Sequence, residues 1–421
     1  SQEYIKARLN PIDPITTASY SNSNSIKGIN INLGNKSIWP ITINNLYQTN
    51  KKYISISSNK KLLPRKKVYQ KINLKSFNFE KVDNSENNRL NISNLNDQEM
   101  IIGYQIDGLL EKRTQKIYPL KNTLVTNKND LILKRKSNIK SFDFLKSNEK
   151  NMTVSFKEGS WIIDKPLILP KGYTLNAKGK LNITLKGDGI IVSQGPVNLI
   201  GSSSSKINIS GVEGGRGLIV INANKPSIVS HTSFNSLSAL KTPSLSITGA
   251  VNFYNSPVEI SNTSFIEAKA EDSLNLFRSP FKLNNTHFKN TQSDALDIDF
   301  SNGEISNSTF INTGNDAVDI SGSQVNTTNI YIKNASDKAV SAGEKSTIFI
   351  RNSKIENASI GIASKDLSKV YSINTDMSTI ELCMTAYQKK PEYGPGFISS
   401  NFDFNNCEKN YLLDPDSNIL I

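Results

Sequence analysis

The chain has 421 residues, of which 37% are hydrophobic and 8% aromatic, with two cysteines and a formal net charge of +13. That length exceeds one ordinary domain and is ample for a buried core. No run of eighteen apolar residues offers a membrane helix, no charged-then-apolar leader opens the chain, and two cysteines are too few for a disulfide framework. The charge is uneven: residues 1–150 hold 26 Lys+Arg against 12 Asp+Glu, and the remainder is close to neutral. Such a shift marks a boundary, placed near residue 145.

Residues 1–145 contain short apolar alternations, GININL, WPITINNLY, KYISIS and MIIGYQI, between Asn, Ser and Lys clusters. Period-two patterning of this kind predicts a small β-sandwich-like domain. Its basic runs, Lys60-Lys61, Arg65-Lys66-Lys67 and Lys134-Arg135-Lys136, would suit an acidic polymer or an anionic surface. No nucleic-acid-binding pattern or aromatic stacking platform accompanies them, so they read first as solvated surface.

From residue 146 the texture changes. SWIIDKPLILPKGYTLNAKGKLNITLKGDGIIVSQGPVNLIGS supplies a strand about every ten residues. NSPVEISNTSF (255–265) then matches RSPFKLNNTHF (278–288) and SNGEISNSTF (301–310), with Phe265, Phe288 and Phe310 spaced by 23 and 22. Leu274, Leu296, Val318, Val340 and Ile362 recur every 22 residues, as do Leu276, Ile298, Ile320, Ala342 and Ser364. A 22-residue β unit cannot bury its apolar face alone, so the units must stack. Residues 146–421 are therefore expected to form a right-handed parallel β-helix of about twelve coils, about 55 Å long. Asn285, Asn307 and Asn329 keep the same spacing and are expected to form a corner ladder. Cys383 and Cys407 lie 24 apart, either as two thiols on neighbouring coils or as one local disulfide. His231 and His287 read as surface residues.

Acids recur within this array. If Leu296 and Ile298 point inward, Asp297 and Asp299 point outward. Stacking gives one column of Asn275, Asp297, Asp319 and Ser341 and another of Phe277, Asp299, Ser321, Gly343 and Lys365. A third column, Asp272, Asp294, Asp316 and Lys338, stands at the turn into the strand, where Asp commonly caps backbone N–H groups. Like charges about 5 Å apart repel by about 3 kcal/mol at an effective dielectric near 20. The cluster therefore needs a cation, a shared proton, or compensation from Lys338, Lys365 or Arg278.

Asp297, Asp299 and Asp319 are accordingly the candidate acid/base groups and the candidate metal ligands. Calcium is the metal such oxygen donors would accept, and nothing calls for an organic cofactor. Lys338 and Lys365 are candidate bases or carboxylate clamps, and Tyr387 is a candidate proton donor. Asp272, Asn275, Arg278, Asp294, Asp316, Ser341, Glu344, Lys389 and Lys390 complete the candidate substrate-binding set. A cation beside carboxylates suits a lyase or epimerase acting on uronic acids, whereas paired acids suit glycoside hydrolysis.

The coil series resembles the pectate-lyase-like β-helix superfamily. More narrowly, EDSLN, SDALDIDF, GNDAVDISGS, DKAVSAGE, SKDLS and AYQKKPEYG, in that order, resemble exported bacterial β-helix regions found with CotH-type proteins. The resemblance covers 250–394 strongly and 151–250 loosely. It implies a secreted, periplasmic or cell-surface location, and no kinase domain is present to carry phosphotransfer. The expected function is binding, with modification, of an anionic polysaccharide or cell-surface glycan on the acidic face. A carbohydrate-active enzyme using Asp297 and Asp319 is the first alternative, and a surface rod or adhesin the second.

Overall fold

The computed structural model describes residues 15–22, 29–35, 40–48, 53–62, 70–73, 100–117, 120–121, 132–242, 245–401 and 406–421. The chain divides into two compact units, Ser1–Lys128 and Asn129–Ile421. Among the described residues no helix is long and apolar enough to cross a membrane.

The first unit contains two four-stranded sheets. In one, Ile29–Asn35 lies between Ile15–Asn22 and Gln70–Asn73, both antiparallel to it, and Leu120–Lys121 adds a short parallel edge. In the other, Ile41–Gln48 lies between Tyr53–Leu62 and Met100–Ile106, with Lys112–Ile117 outermost. Ile41 and Ile43, and Ile102, Tyr104 and Ile106, are buried at alternate positions, as half-buried strands require. Lys61 pairs with Asp107 at 2.5 Å; Arg65-Lys66-Lys67 lies outside the described residues.

The second unit is a parallel β-solenoid of about 12 turns. Its coils stack in the register set by the 22-residue repeat: Leu274 faces Leu296, then Val318, Val340, Ile362 and Met384. Phe234, Phe265, Phe288 and Phe310 stack inside it, with successive ring centroids 5.2, 4.8 and 4.8 Å apart. Every coil contributes to one apolar core, so no coil can hold its fold alone.

Hydrogen-bonded ladders fix the corners. Asn262, Asn285, Asn307, Asn329, Asn352 and Asn374 all have φ between 49° and 54°, a region Asn tolerates better than other side chains. Asn285 donates to Asn262, Asn329 to Asn307 and Asn374 to Asn352, each at 2.7 Å. Asn307 instead reaches Asn284, so the expected ladder is broken at one rung. A second ladder, Asn290, Asn312, Asn334 and Asn357, stands nearby. A third was not read from the repeat: the backbone N–H groups of Ser256, Ser279, Ser301, Ser323 and Ser346 each donate to the hydroxyl of the next serine, ending at Ser368.

Residues 132–148 cap the first coil. Leu145–Asn148 runs antiparallel to Thr153–Phe156, and Phe144 stacks on both Phe156 and Trp161. Ile168, Ile190, Val192 and Ile219 are covered by Ile132 and by Leu240 and Ile247, which flank the hairpin of Lys241–Thr242 and Leu245–Ser246. Near the other end Cys383 and Cys407 form a disulfide, with Cα atoms 5.8 Å apart. This settles the thiol-or-disulfide alternative, because the strands that carry them are paired neighbours.

Candidate active site

Beyond Ile219 the same face carries polar residues. Asn252, Asn275, Asp297, Asp319 and Ser341 stand directly above one another on consecutive strands. They alternate with core residues such as Leu296 and Ile298, so their side chains leave the sheet on its outer side. Even so, Asn252, Asn275 and Ser341 are only 1%, 2% and 0% exposed. At one end the protein's own Thr248 and Gly249 pack over Asn275 and Asn252. The column is open only over Asp297 and Asp319, which form the floor of a short groove one coil spacing long. One wall is the turn row of Asp272, Asp294, Asp316 and Lys338, and the other begins with Tyr254, Phe277, Asp299, Ser321 and Gly343.

Several atoms of the column have no hydrogen-bond partner: Asn252 Oδ1, Asn275 Oδ1, Asp319 Oδ1 and Ser341 Oγ. These atoms are closed off by the protein itself, so the surface open to another molecule is that of the part-exposed Asp297, Asp299 and Asp319 side chains. The Asn275 amide donates to Asp297 Oδ2 at 2.7 Å and to Asp272 Oδ2 at 3.2 Å. It stands between two acids where a cation would otherwise be needed.

Burial sets the carboxyl chemistry. It pushes Asp297 up to about 9, helped by the charges of Asp272, Asp299 and Asp319. It pushes Asp272 up to about 7, against hydrogen bonds from Thr248 and Asn275. Asp299 is raised by burial, then by Asp319 and Glu344, to about 6, and burial brings Asp294 to about 6. At neutral pH Asp297 therefore holds a proton while Asp299, two residues along the same strand and on the same face, has mostly lost its own. The repulsion expected of this cluster is relieved mainly by that proton.

Other candidate residues have different surroundings. Asp294 Oδ1 accepts the backbone N–H of Asp316 at 2.8 Å, and Asp316 Oδ1 accepts that of Lys338 at 3.0 Å. The turn acids thus tie each coil to the next. Lys338 is bound to both Asp316 and Asp337. Burial would lower its pKa, but those partners hold it above the usual lysine value, so it is an ammonium group and not the base expected. Tyr387 pairs with Lys365, four coil steps and about 19 Å from Asp299. Burial raises its pKa, and the charges of Lys338, Asp337 and Asp316 act on it, so it stands toward the Lys338 end of the acidic face. Arg278 does not touch the acids: its guanidinium lies 5.3 Å from the Phe277 centroid and 5.9 Å from that of Phe300.

Lys365, 8% exposed, runs back over Gly343 and puts Nζ 3.9 Å from Asp319 Oδ1, too far for a hydrogen bond. Beyond it, Asp366 Oδ1 accepts the backbone N–H groups of Lys389 and Lys390, both at 2.7 Å. Lys390 in turn pairs with Glu344, whose other oxygen accepts from Ser321 at 2.6 Å. Burial would raise Glu344, but these hydrogen bonds hold it below its usual value. The Lys389 side chain is exposed. Among the described residues no group of three or more His, Cys, Asp or Glu side chains is placed to hold a metal ion. Asp297, Asp299 and Asp319 share one face of two neighbouring strands.

Asn252, Tyr254 and Phe300 escaped the sequence reading. Asn252 and Tyr254 stand 23, not 22, residues before Asn275 and Phe277, which takes them off the strict spacing, although Asn252 is one coil above Asn275. Phe300 follows Asp299 at a corner position that varies from coil to coil.

No protein-family model matches the chain, and no curated protein does. Two solved structures are similar to it, both of the catalytic domain of a GH87 α-1,3-glucanase: one a single-substitution variant in complex with tetrasaccharides, the other in complex with nigerose. Each shares 11% identity with this chain over 96% of its length and 91% of the other, with a TM-score of 0.42.

Proposed function

We propose that the solenoid is a glycoside hydrolase whose groove binds an uncharged, hydroxyl-rich polysaccharide. The observation behind this reading is the arrangement of Asp297 and Asp299. Two part-exposed carboxyl groups share one face of one strand, one protonated and one ionised, with Asp319 on the neighbouring strand. Environments that push two carboxyl pKa values apart are how general-acid and general-base roles are divided. Asp297 gives its proton to the glycosidic oxygen as the bond to the anomeric carbon breaks. Asp299 takes a proton from the water that attacks that carbon, so one water is consumed per bond. Asp319, part-exposed on the neighbouring strand, holds a sugar hydroxyl beside Asp297 and Asp299.

Lyase or epimerase chemistry on a uronic acid needs a neutral base and a cation free to meet the sugar carboxylate. Lys338 is paired twice and Lys390 pairs with Glu344. Lys365, 3.9 Å from Asp319, makes no hydrogen bond but already faces that acid, so the excess of carboxyl groups on this face favours an uncharged substrate over an anionic one. The Cys383–Cys407 disulfide supports action in an oxidising, extracytoplasmic compartment.

The test is a panel of neutral and acidic polysaccharides, assayed both for new reducing ends and for the absorbance of unsaturated products. The wild type should release reducing ends from a neutral polymer without that absorbance, and Asp297→Asn and Asp299→Asn should each lose at least about a hundredfold in rate. Unsaturated products, or variants as active as the wild type, would overturn the proposal.

A further inference from the structure

One residue past Asp299, each coil leaves the sheet through a corner. The equivalent positions are Asn255, Arg278, Phe300, Gly322, Glu344 and Asp366, with φ from 49° to 60°. Asn and Gly suit this left-handed conformation, whereas a bulky aromatic residue there is an outlier that needs a reason. Burial does not supply one, because Phe300 is 54% exposed.

Its neighbours nevertheless hold the ring in place. It lies over Gly322 of the next coil, where a methyl group would come 2.6 Å from ring Cδ1. Phe277 meets it edge-on, with centroids 5.8 Å apart and planes at 83°, and the Arg278 guanidinium lies over the ring, 5.9 Å from its centroid. An aromatic ring fixed by its neighbours, still largely open to solvent, and adjoining an acid at the groove wall is the kind of surface on which the C–H face of a sugar packs.

We propose that Phe300 is a binding platform on which a pyranose ring of the substrate stacks, next to the bond held between Asp297 and Asp299. Gly322 is the position that leaves the ring room to lie flat. The inference rests on the hydrolytic reading of the groove and adds the residue that selects for a ring-shaped, unsubstituted C–H face.

The experiment compares wild type with Phe300→Asn and Phe300→Trp on neutral oligosaccharides of increasing length. Kinetics are joined by calorimetric binding in an Asp297→Asn background. Asn suits the backbone conformation, so Phe300→Asn should melt no lower than wild type. Its KM, and its Kd in the silent background, should both rise about tenfold or more while kcat stays within about threefold. Phe300→Trp should restore both constants. An unchanged KM and Kd in Phe300→Asn would overturn the platform while leaving hydrolysis intact, as would a fall in melting temperature that alone accounts for lost activity. A wild type that neither cleaves nor binds any neutral oligosaccharide would remove the hydrolytic reading, and the platform with it.

Discussion

Asp297→Asn should make the protein more stable while silencing it. The ordinary carboxyl value is 3.8, and the folded environment pushes Asp297 to about 9. At pH 7 the unfolded chain is free to ionise this group and the folded chain is not. The gap of 3.2 pH units, at about 1.4 kcal/mol each, sets an upper limit of about 4 kcal/mol by which ionisation favours unfolding. Asp272, pushed to about 7, is coupled through Asn275 and shares the burden, so about 2 to 4 kcal/mol is the expected gain. Because the folded pKa is raised, this contribution to stability is complete below pH about 4 and is lost as pH rises towards 9. Asparagine keeps an acceptor oxygen for the Asn275 amide and cannot ionise. Thermal unfolding of the full chain followed by circular dichroism should show no difference between variant and wild type near pH 4. At pH 7 to 8 the variant should melt about 5 to 10 °C higher. A variant that melts no higher at pH 8, or gains equally at pH 4, would refute the reasoning.

The wild-type rate should have a bell-shaped pH dependence. Its acid limb should lie near 6, where Asp299 must ionise, and its alkaline limb near 9, where Asp297 must keep its proton. Both limbs belong to the coupled cluster, so Asp297→Asn should remove the alkaline limb from any residual activity and move the other. Prolonged treatment with EDTA should leave activity unchanged, since no three acidic, histidine or cysteine side chains among the described residues converge as metal ligands; loss of activity restored by calcium would contradict this. Lys338→Met should lower stability by about 3 kcal/mol by leaving the buried Asp316 unpaired, with kcat of the surviving folded protein little changed. Asn312→Ala should cost about 1 to 2 kcal/mol, since it removes an amide rung and places alanine at a φ of 57°.

Much of the architecture is legible in the residues because parallel stacking turns sequence spacing into contact. Leu274, Leu296 and Val318 recur at one interval, and the strands pair at that interval. The gathering of Asp297, Asp299 and Asp319 follows from the same arithmetic. What the spacing does not reveal is depth. Outer positions were expected to be exposed, yet Asn275 and Ser341 are buried, since the heights of flanking rows depend on turns that the repeat does not specify. Side-chain reach is equally hidden: Lys338 turns to Asp316 and Asp337, and Lys365 crosses Gly343, choices made by local geometry and not by period. One extra residue in the coil makes the spacing 23 and concealed Asn252 and Tyr254.

The central claim is that the groove over Asp297 and Asp299 receives a sugar chain. A crystal structure of Asp297→Asn soaked with a neutral oligosaccharide that the wild type cleaves tests it most directly. The account predicts a chain lying over the substituted side chain, Asp299 and Asp319, with hydrogen bonds to their exposed atoms. A chain seated instead in the open depression lined by Pro226, Pro257, Pro280 and Phe281, with the acidic groove empty, would contradict it.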